Sequence, residues 1–195
     1  MEYPEDATPL DPDEMLGLKF PHITTREELD QMEHVNIQEG LHWLYKTKHS
    51  DILSEQFVRK LHEKLFGKVW QWAGTFRQTE KNIGIDPIQI PQQLKLLLDD
   101  AQFWLANKTY PPHELALRFH HRLVKVHPFP NGNGRHARVM ADVILAQMLA
   151  QKPIAWRDDS LNKKSEVRAE YIKALRLADQ GDYERLLALF SGGGI

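Results

Sequence analysis

The sequence predicts a mainly α-helical protein with a small β-hairpin flap, and three observations lead there. Apolar residues recur at helical spacing over most of the chain, residues 137–150 are apolar almost all round, and only residues 69–91 switch to alternation around glycines. The 195 residues suit one domain of ordinary size with a short appendage. Hydrophobic residues make up 42% and charged residues 27%, the balance of a soluble globular domain rather than a disordered or membrane-embedded chain. Cysteine is absent, which excludes a disulfide scaffold, a thiolate zinc site and a cysteine nucleophile, and favours a cytoplasmic location. The opening MEYPEDATPLDPDEM is acidic and proline-rich where a signal peptide needs a basic start and an apolar run, so no membrane partner is expected. Residues 1–30 hold nine acidic and two basic residues, leaving a body near +5 within a net charge of −2. That body tolerates anions but carries no basic stripe with interleaved aromatics, so no direct nucleic-acid binding is expected.

Residues 1–24 read as an extended N-terminal arm, with prolines and no helical period. Thr25 followed by Glu28 makes a capping box, and a helix is expected from there to about Lys48 with Ile37, Leu41, Leu44 and Tyr45 on one face. Gly40 inside that helix costs propensity and implies close backbone contact. A second helix starts after Ser54, with Phe57, Val58, Leu61, Leu65 and Phe66 at helical spacing. Trp70, Trp72, Phe76, Ile83 and Ile85 then alternate with polar residues around Gly74 and Gly84, the pattern of the hairpin. Pro91 and Pro111/Pro112 open two further amphipathic helices, and the segment from Ala137 to Ala150 is the expected central helix. Two more helices are expected, from Ser160 or Asn162 to about Gln180 and from Tyr183 to Phe190, before a flexible tail at 191–195.

The specific chemistry converges on VHPFPNGNGRHARVM, residues 126–140. A proline- and glycine-rich loop feeds the start of a helix, whose unpaired amides and positive dipole end favour a phosphate. Gly132 and Gly134 allow close approach to the backbone, and Arg135 and Arg138 on neighbouring first turns can supply charge-assisted contacts to the same anion. His127 precedes this cradle as a candidate general base. Together these residues suggest a phosphate-group transfer site. Gly132, Gly134 and Ala137 also satisfy a dinucleotide-binding spacing, but no strand precedes them, and no P-loop occurs. His120, His121 and His127 lack a metal-binding pattern, and the five tryptophans read as structural anchors.

At these residues the sequence resembles the Fic family of protein adenylyltransferases, whose signature H-x-F-x-[DE]-G-N-G-R-x-x-R it matches at every specified position but one, from His127 to Arg138. WAGTFR at 72–77 resembles the start of the family's flap, and Tyr171, Ala174, Leu175, Ala178 and Gly181-Asp182 its C-terminal helical pattern. The arm and NIQEG resemble a bacterial subgroup called mobile mystery protein B. The resemblance implies a Fic-fold helical bundle over residues 51–190, preceded by an N-terminal helix at 25–50, and transfer of AMP from ATP to a Ser, Thr or Tyr hydroxyl of a target protein. By the same resemblance His127 is the base, and Phe129 packs inward. Gly132, Asn133 and Gly134 bind phosphates, Arg135 and Arg138 hold the outer ones, and Lys81, Asn82, Ile83 and Gly84 clamp the target segment.

Asn131 stands where the family has an acidic Mg²⁺ ligand, which implies weaker binding of that cofactor and a raised Mg²⁺ requirement. Arginine at 135, where the related Doc kinases carry lysine, favours AMP over phosphoryl transfer. The family's inhibitory pattern [ST]-x-x-x-E-[GN] is met in part at Glu39-Gly40, with Val35 at the Ser/Thr position, so Glu39 is a candidate restraint on Arg138 in cis. An antitoxin-like protein holding a toxin inactive is the alternative form of control, and a homo-oligomer is compatible with the sequence. The rival functions are a catalytically weak or inactive nucleotide- or protein-binding module and a transferase of another phosphate-containing group.

Overall fold

The computed structural model describes residues 11–156 and 165–190. Helix α1 is one turn, Pro12–Met15, and α2 runs Arg26–Lys46. The Thr25 hydroxyl accepts from the Glu28 amide at 3.3 Å while the Glu28 carboxylate accepts from the Thr25 amide at 3.2 Å, so the expected capping box is formed. Helix α3, Glu55–Phe66, is capped by Ser54, whose hydroxyl accepts from the Phe57 amide at 3.0 Å. Helices α4, Ile90–Asn107, and α5, Pro112–Val126, begin at or beside prolines, as expected of residues that surrender only an amide the first turn leaves unpaired. Helix α6 spans Asn133–Val143 and widens into a π-helical turn at Ile144–Met148, closed by Ala150 in the left-handed region. Helices α7, Glu166–Ala178, and α8, Glu184–Phe190, follow.

Helices α5 and α6 form a wall with a core on either side. On one side α2, α3 and α4 pack Leu29, Leu44, Leu61, Leu65, Leu94 and Leu97 against Phe119, Leu123 and Met140. On the other, Leu117, Ala141 and Leu145 meet Tyr171, Ala174 and Leu186 of α7 and α8. Burial on both faces is the reason residues 137–145 are mostly apolar, whereas 146–150 lie nearer the surface. Helix α2 is tied to the end of α3 by Asn36, whose Nδ2 donates to the Lys64 carbonyl at 3.0 Å and whose Oδ1 accepts from the Lys68 amide at 2.9 Å. Gly40 lies one turn further along that contact, against the Lys64 carbonyl.

Two expectations change. The segment between α3 and α4 is a series of turns and extended backbone with no strand ladder among the described residues; its one β-bridge joins Trp70 to Leu18. The hairpin does not form because several flap carbonyls accept from side chains, Gly74 from Arg59 and Thr79 and Ile85 from Arg77, instead of from a facing strand. The arm is likewise not uniformly extended. Asp11, Pro12 and Glu14 make a compact helix start, with the Asp11 amide donating to Glu14 Oε2 at 2.8 Å. Arm residues 1–10, the expected helix starts at Ser160 and Asn162, and the tail at 191–195 lie outside the described residues. Helix α7 is described from Glu166, capped by the Ser165 hydroxyl. No helix among the described residues is long and apolar enough to cross a membrane.

Candidate functional site

The loop from His127 to Gly132 is shaped largely by its own residues. Helix α5 stops at His127, which turns left-handed at φ 51° while its amide still donates to the Leu123 carbonyl at 3.1 Å. Pro128 and Pro130 keep the chain from resuming a helix at once. The buried Asn133 side chain then clamps both polar groups of Phe129, accepting from its amide at 2.9 Å and donating to its carbonyl at 2.7 Å. Phe129 is fully buried, its ring centroid 3.8 Å from that of His62. Gly132 sits at φ 77° with the Phe66 ring where a Cβ would be, 2.7 Å away, so the turn admits only glycine. The first intrahelical bond of α6 runs from the His136 amide to the Gly132 carbonyl at 2.9 Å. The amides of Asn133, Gly134 and Arg135 therefore precede the helical ladder at its positive end.

His127 is 4% exposed. Its Nδ1 lies 3.3 Å from the Val124 carbonyl, which can only accept, so Nδ1 carries the proton and Nε2 the lone pair. Burial first, and then the Arg77 charge, lower its pKa to about 4, so the ring is neutral and able to take a proton at pH 7.

The arginines divide. Arg138 is buried, with Nη1 3.7 Å from the position of a Cβ on Gly134. Arg135 points instead to α2, where its Nη1 donates to Glu33 Oε2 at 2.6 Å, and it lies 4.8 Å over the Phe66 ring. Glu33 is buried and also accepts from the Trp70 indole at 2.7 Å. Burial alone would raise the Glu33 carboxyl, but the Arg135 charge and the Trp70 hydrogen bond outweigh it, so its pKa is lowered and it stays ionised. Glu39 does not meet Arg138. It faces outward, 48% exposed, and pairs with Lys68 at 2.7 Å. On α2, Glu33 and Glu39 are six residues apart and so point to different faces, which is why the second cannot reach the signature helix.

Asn131 Oδ1 accepts from the Gly132 amide at 2.7 Å and lies 3.5 Å from Arg135 Nη2. An uncharged oxygen already accepting, with a guanidinium beside it, does not fit a protein-held Mg²⁺, which favours carboxylate oxygen. Among the described residues no group of three or more His, Asp and Glu is placed to hold a metal.

The flap is organised around Arg77, whose residue is 2% exposed. Its guanidinium donates to the His127 carbonyl at 2.6 Å, to the Thr79 carbonyl at 2.8 Å and to the Ile85 carbonyl, and its own amide donates to the Pro128 carbonyl at 2.9 Å. One cation thus joins both limbs of the flap to the first residue of the signature loop. Lys81 is not presented to solvent. Its side chain is 2% exposed and pairs with Asp11 at 2.9 Å and with Glu14, while the Trp72 indole donates to the Glu14 carbonyl at 2.9 Å. Asn82 and Ile83 are exposed, and Gly84, at φ 104°, lies so close to His127 that a Cβ would stand 2.6 Å from the His127 Cβ.

Sequence reasoning passed over Glu33, His62 and the role of Arg77. Arg77 stood in a recognised motif, so its place was visible but not its partners. Glu33 and His62 lay among ordinary helix residues with no local signal.

Residues 52–145 match the Fic/DOC family. The protein adenylyltransferase fic-1 of Caenorhabditis elegans is 31% identical over 144 residues, 70% of this chain and 26% of that protein. The protein adenylyltransferase Fic of Drosophila grimshawi is 32% identical over 130 residues, 64% of this chain and 25% of that protein. The chain thus spans about a quarter of the length of these curated relatives. Among solved structures, C. elegans Fic-1 superposes with a TM-score of 0.64 at 27% identity, over 89% of this chain and 50% of that one. BepC of Bartonella tribocorum, solved with bound AMPPNP, superposes with a TM-score of 0.69 at 19% identity, over 89% of each chain. The signature loop, the helices that carry it and these similarities together show that the chain carries a Fic/DOC family domain over residues 52–145.

Proposed function

We propose that this chain is a protein adenylyltransferase, moving AMP from ATP to a hydroxyl of a target protein. The observation that carries the reading is a single loop in which a histidine with its lone pair on Nε2 stands beside an amide-lined helix start. The curated relatives named as protein adenylyltransferases support the same activity. In the proposed reaction His127 Nε2 takes the proton of the target hydroxyl. The hydroxyl oxygen forms a bond to the α-phosphorus, and the bond from that phosphorus to the bridging oxygen breaks, releasing pyrophosphate with the electron pair. The amides of Asn133 and Gly134 and the guanidinium of Arg138 receive the negative phosphates, and the Gly132 amide joins them once Asn131 Oδ1 releases it. Arg135 joins them once Glu33 yields it. Ile83 and the flap backbone at 82–84, exposed beside His127, receive the target segment, whereas Lys81 orders the flap from beneath.

Mg²⁺ enters this reading with ATP as part of the substrate, since Asn131 offers it at most one neutral oxygen. The nucleotide bound in the BepC structure supports ATP as the donor. With Glu39 held by Lys68, control in cis through Glu39 has no contact to rest on.

The test is incubation with lysate, Mg²⁺ and ATP labelled at the α- or the γ-phosphate, with His127→Ala as control. Protein label from the α position alone, lost in His127→Ala, is the expected result. Label from the γ position would make the chain a phosphoryl transferase. ATP binding with label from neither position would make it a nucleotide-binding module, the reading that Asn131 favours.

A further inference from the structure

His62 lies on α3, outside the signature, and none of the steps above uses it. It is fully buried, its ring against Phe129 at 3.8 Å and Phe66 at 4.8 Å between centroids. Its two nitrogens reach two different loops. The Gly74 amide donates to Nδ1 at 3.0 Å, and Nε2 lies 3.0 Å from the Asn131 carbonyl oxygen. An amide only donates and a carbonyl only accepts, so the ring is the neutral tautomer with its proton on Nε2. Burial, followed by the neighbouring His136, keeps the ring well below the ordinary histidine range, and this tautomer persists at neutral pH.

Peptide planarity carries the contact to the site. In a trans peptide the carbonyl and the amide point opposite ways. The Asn131 carbonyl is drawn inward to His62, so the Gly132 amide of the same plane is turned outward, where Asn131 Oδ1 holds it at 2.7 Å. Glycine at 132 would let that plane rotate readily if the inward bond were lost. The same imidazole fixes the amide of Gly74 at the base of the flap, and the Gly74 carbonyl accepts from Arg59 at 2.9 Å.

We propose that His62 is a positioning residue: it aims the Gly132 amide at the anion site and sets the base of the flap in register with the signature loop. This rests on the nucleotide-transfer reading. Replacing His62 by phenylalanine keeps the ring stack and removes both hydrogen bonds, whereas glutamine can still donate and accept.

The experiment measures ATP affinity of the full chain for the parent, His62→Phe and His62→Gln, at equal thermal stability. The expected result is a loss of about tenfold in His62→Phe, most of it regained in His62→Gln. A folded His62→Phe that binds ATP like the parent overturns the inference and leaves the functional reading intact. A parent that does not bind ATP overturns the functional reading and the inference with it. Nitrogen NMR of the parent ring needs no variant: between pH 6 and 8 it should report a protonated Nε2 and a bare Nδ1. The opposite tautomer, or a ring titrating near 6.5, also overturns the proposal.

Discussion

The signature loop and the flap meet at His127, yet they are held in different ways. Between His127 and His136 most restraints span a few residues: His127 to Leu123, Asn133 to Phe129, Gly132 to Asn131, His136 to Gly132. Between Trp70 and Ile90 they come largely from afar: Gly74 from His62, Thr79 and Lys81 from Asp11, Trp72 from Glu14, and the His127 carbonyl gripped by Arg77. A loop held mostly by its own residues costs little closure entropy and, apart from the Asn131–Gly132 peptide that His62 holds, keeps its shape when its surroundings change. A segment assembled from distant partners depends on all of them, and losing one frees a whole limb.

Acid should separate the two regions most strongly. His120, His127 and His136 have pKa values of about 3, 4 and 3 when folded, chiefly through burial, against 6.5 when exposed. Below pH 6.5 the unfolded chain binds protons that the folded one refuses. Stability is therefore complete above that pH and is lost as pH falls toward 4, by up to about 1.4 kcal/mol per pH unit for each ring. Urea unfolding between pH 7 and 5 checks this, and a flat profile contradicts it. These rings lie in and around the signature wall, so hydrogen exchange should rise there before it rises in the flap.

Arg77→Met should show the reverse. It leaves the carbonyls of His127, Thr79 and Ile85 without their charged donor, at an expected cost of about 3 kcal/mol in urea unfolding. Hydrogen exchange should then increase over 79–85 more than over 129–136. His127→Ala should lower AMP transfer by about 100-fold or more while the exchange pattern of the flap stays that of the parent. The parent's rate should be level between pH 8 and 6, because the base titrates at about 4.

The two glutamates of α2 sharpen the comparison on a smaller scale. Glu33→Gln removes the charge facing Arg135 inside the molecule and should destabilise the fold by about 1 to 3 kcal/mol, read from the thermal midpoint. Glu39→Ala breaks only an exposed pair with Lys68 and should stay within about 0.5 kcal/mol. A gain in ATP turnover in Glu39→Ala would restore control in cis.

The same contrast explains what could be read in advance. The α2 cap at Thr25 and the starts at Ser54, Pro91 and Pro112 depend on neighbours within four residues, and all were legible. The phosphate cradle was legible for the same reason: two prolines, two glycines and two arginines stand within eleven residues. The flap misled because alternation reports which side chains are half-buried, not which donor takes each carbonyl. Arg77, 50 residues from His127, takes the place that a facing strand was expected to fill.

The amino-acid sequence by itself determined the helical class, most helix boundaries and the family signature, because periodicity, caps and turn residues act over a few positions. Tertiary structure alone decided that Glu33, not Glu39, holds a signature arginine, that Lys81 is buried beneath Asp11 and Glu14, and that His62 grips the Asn131 carbonyl. These depend on which helix faces approach one another and on which buried polar groups would otherwise lack a partner, requirements that exist only once the core has closed.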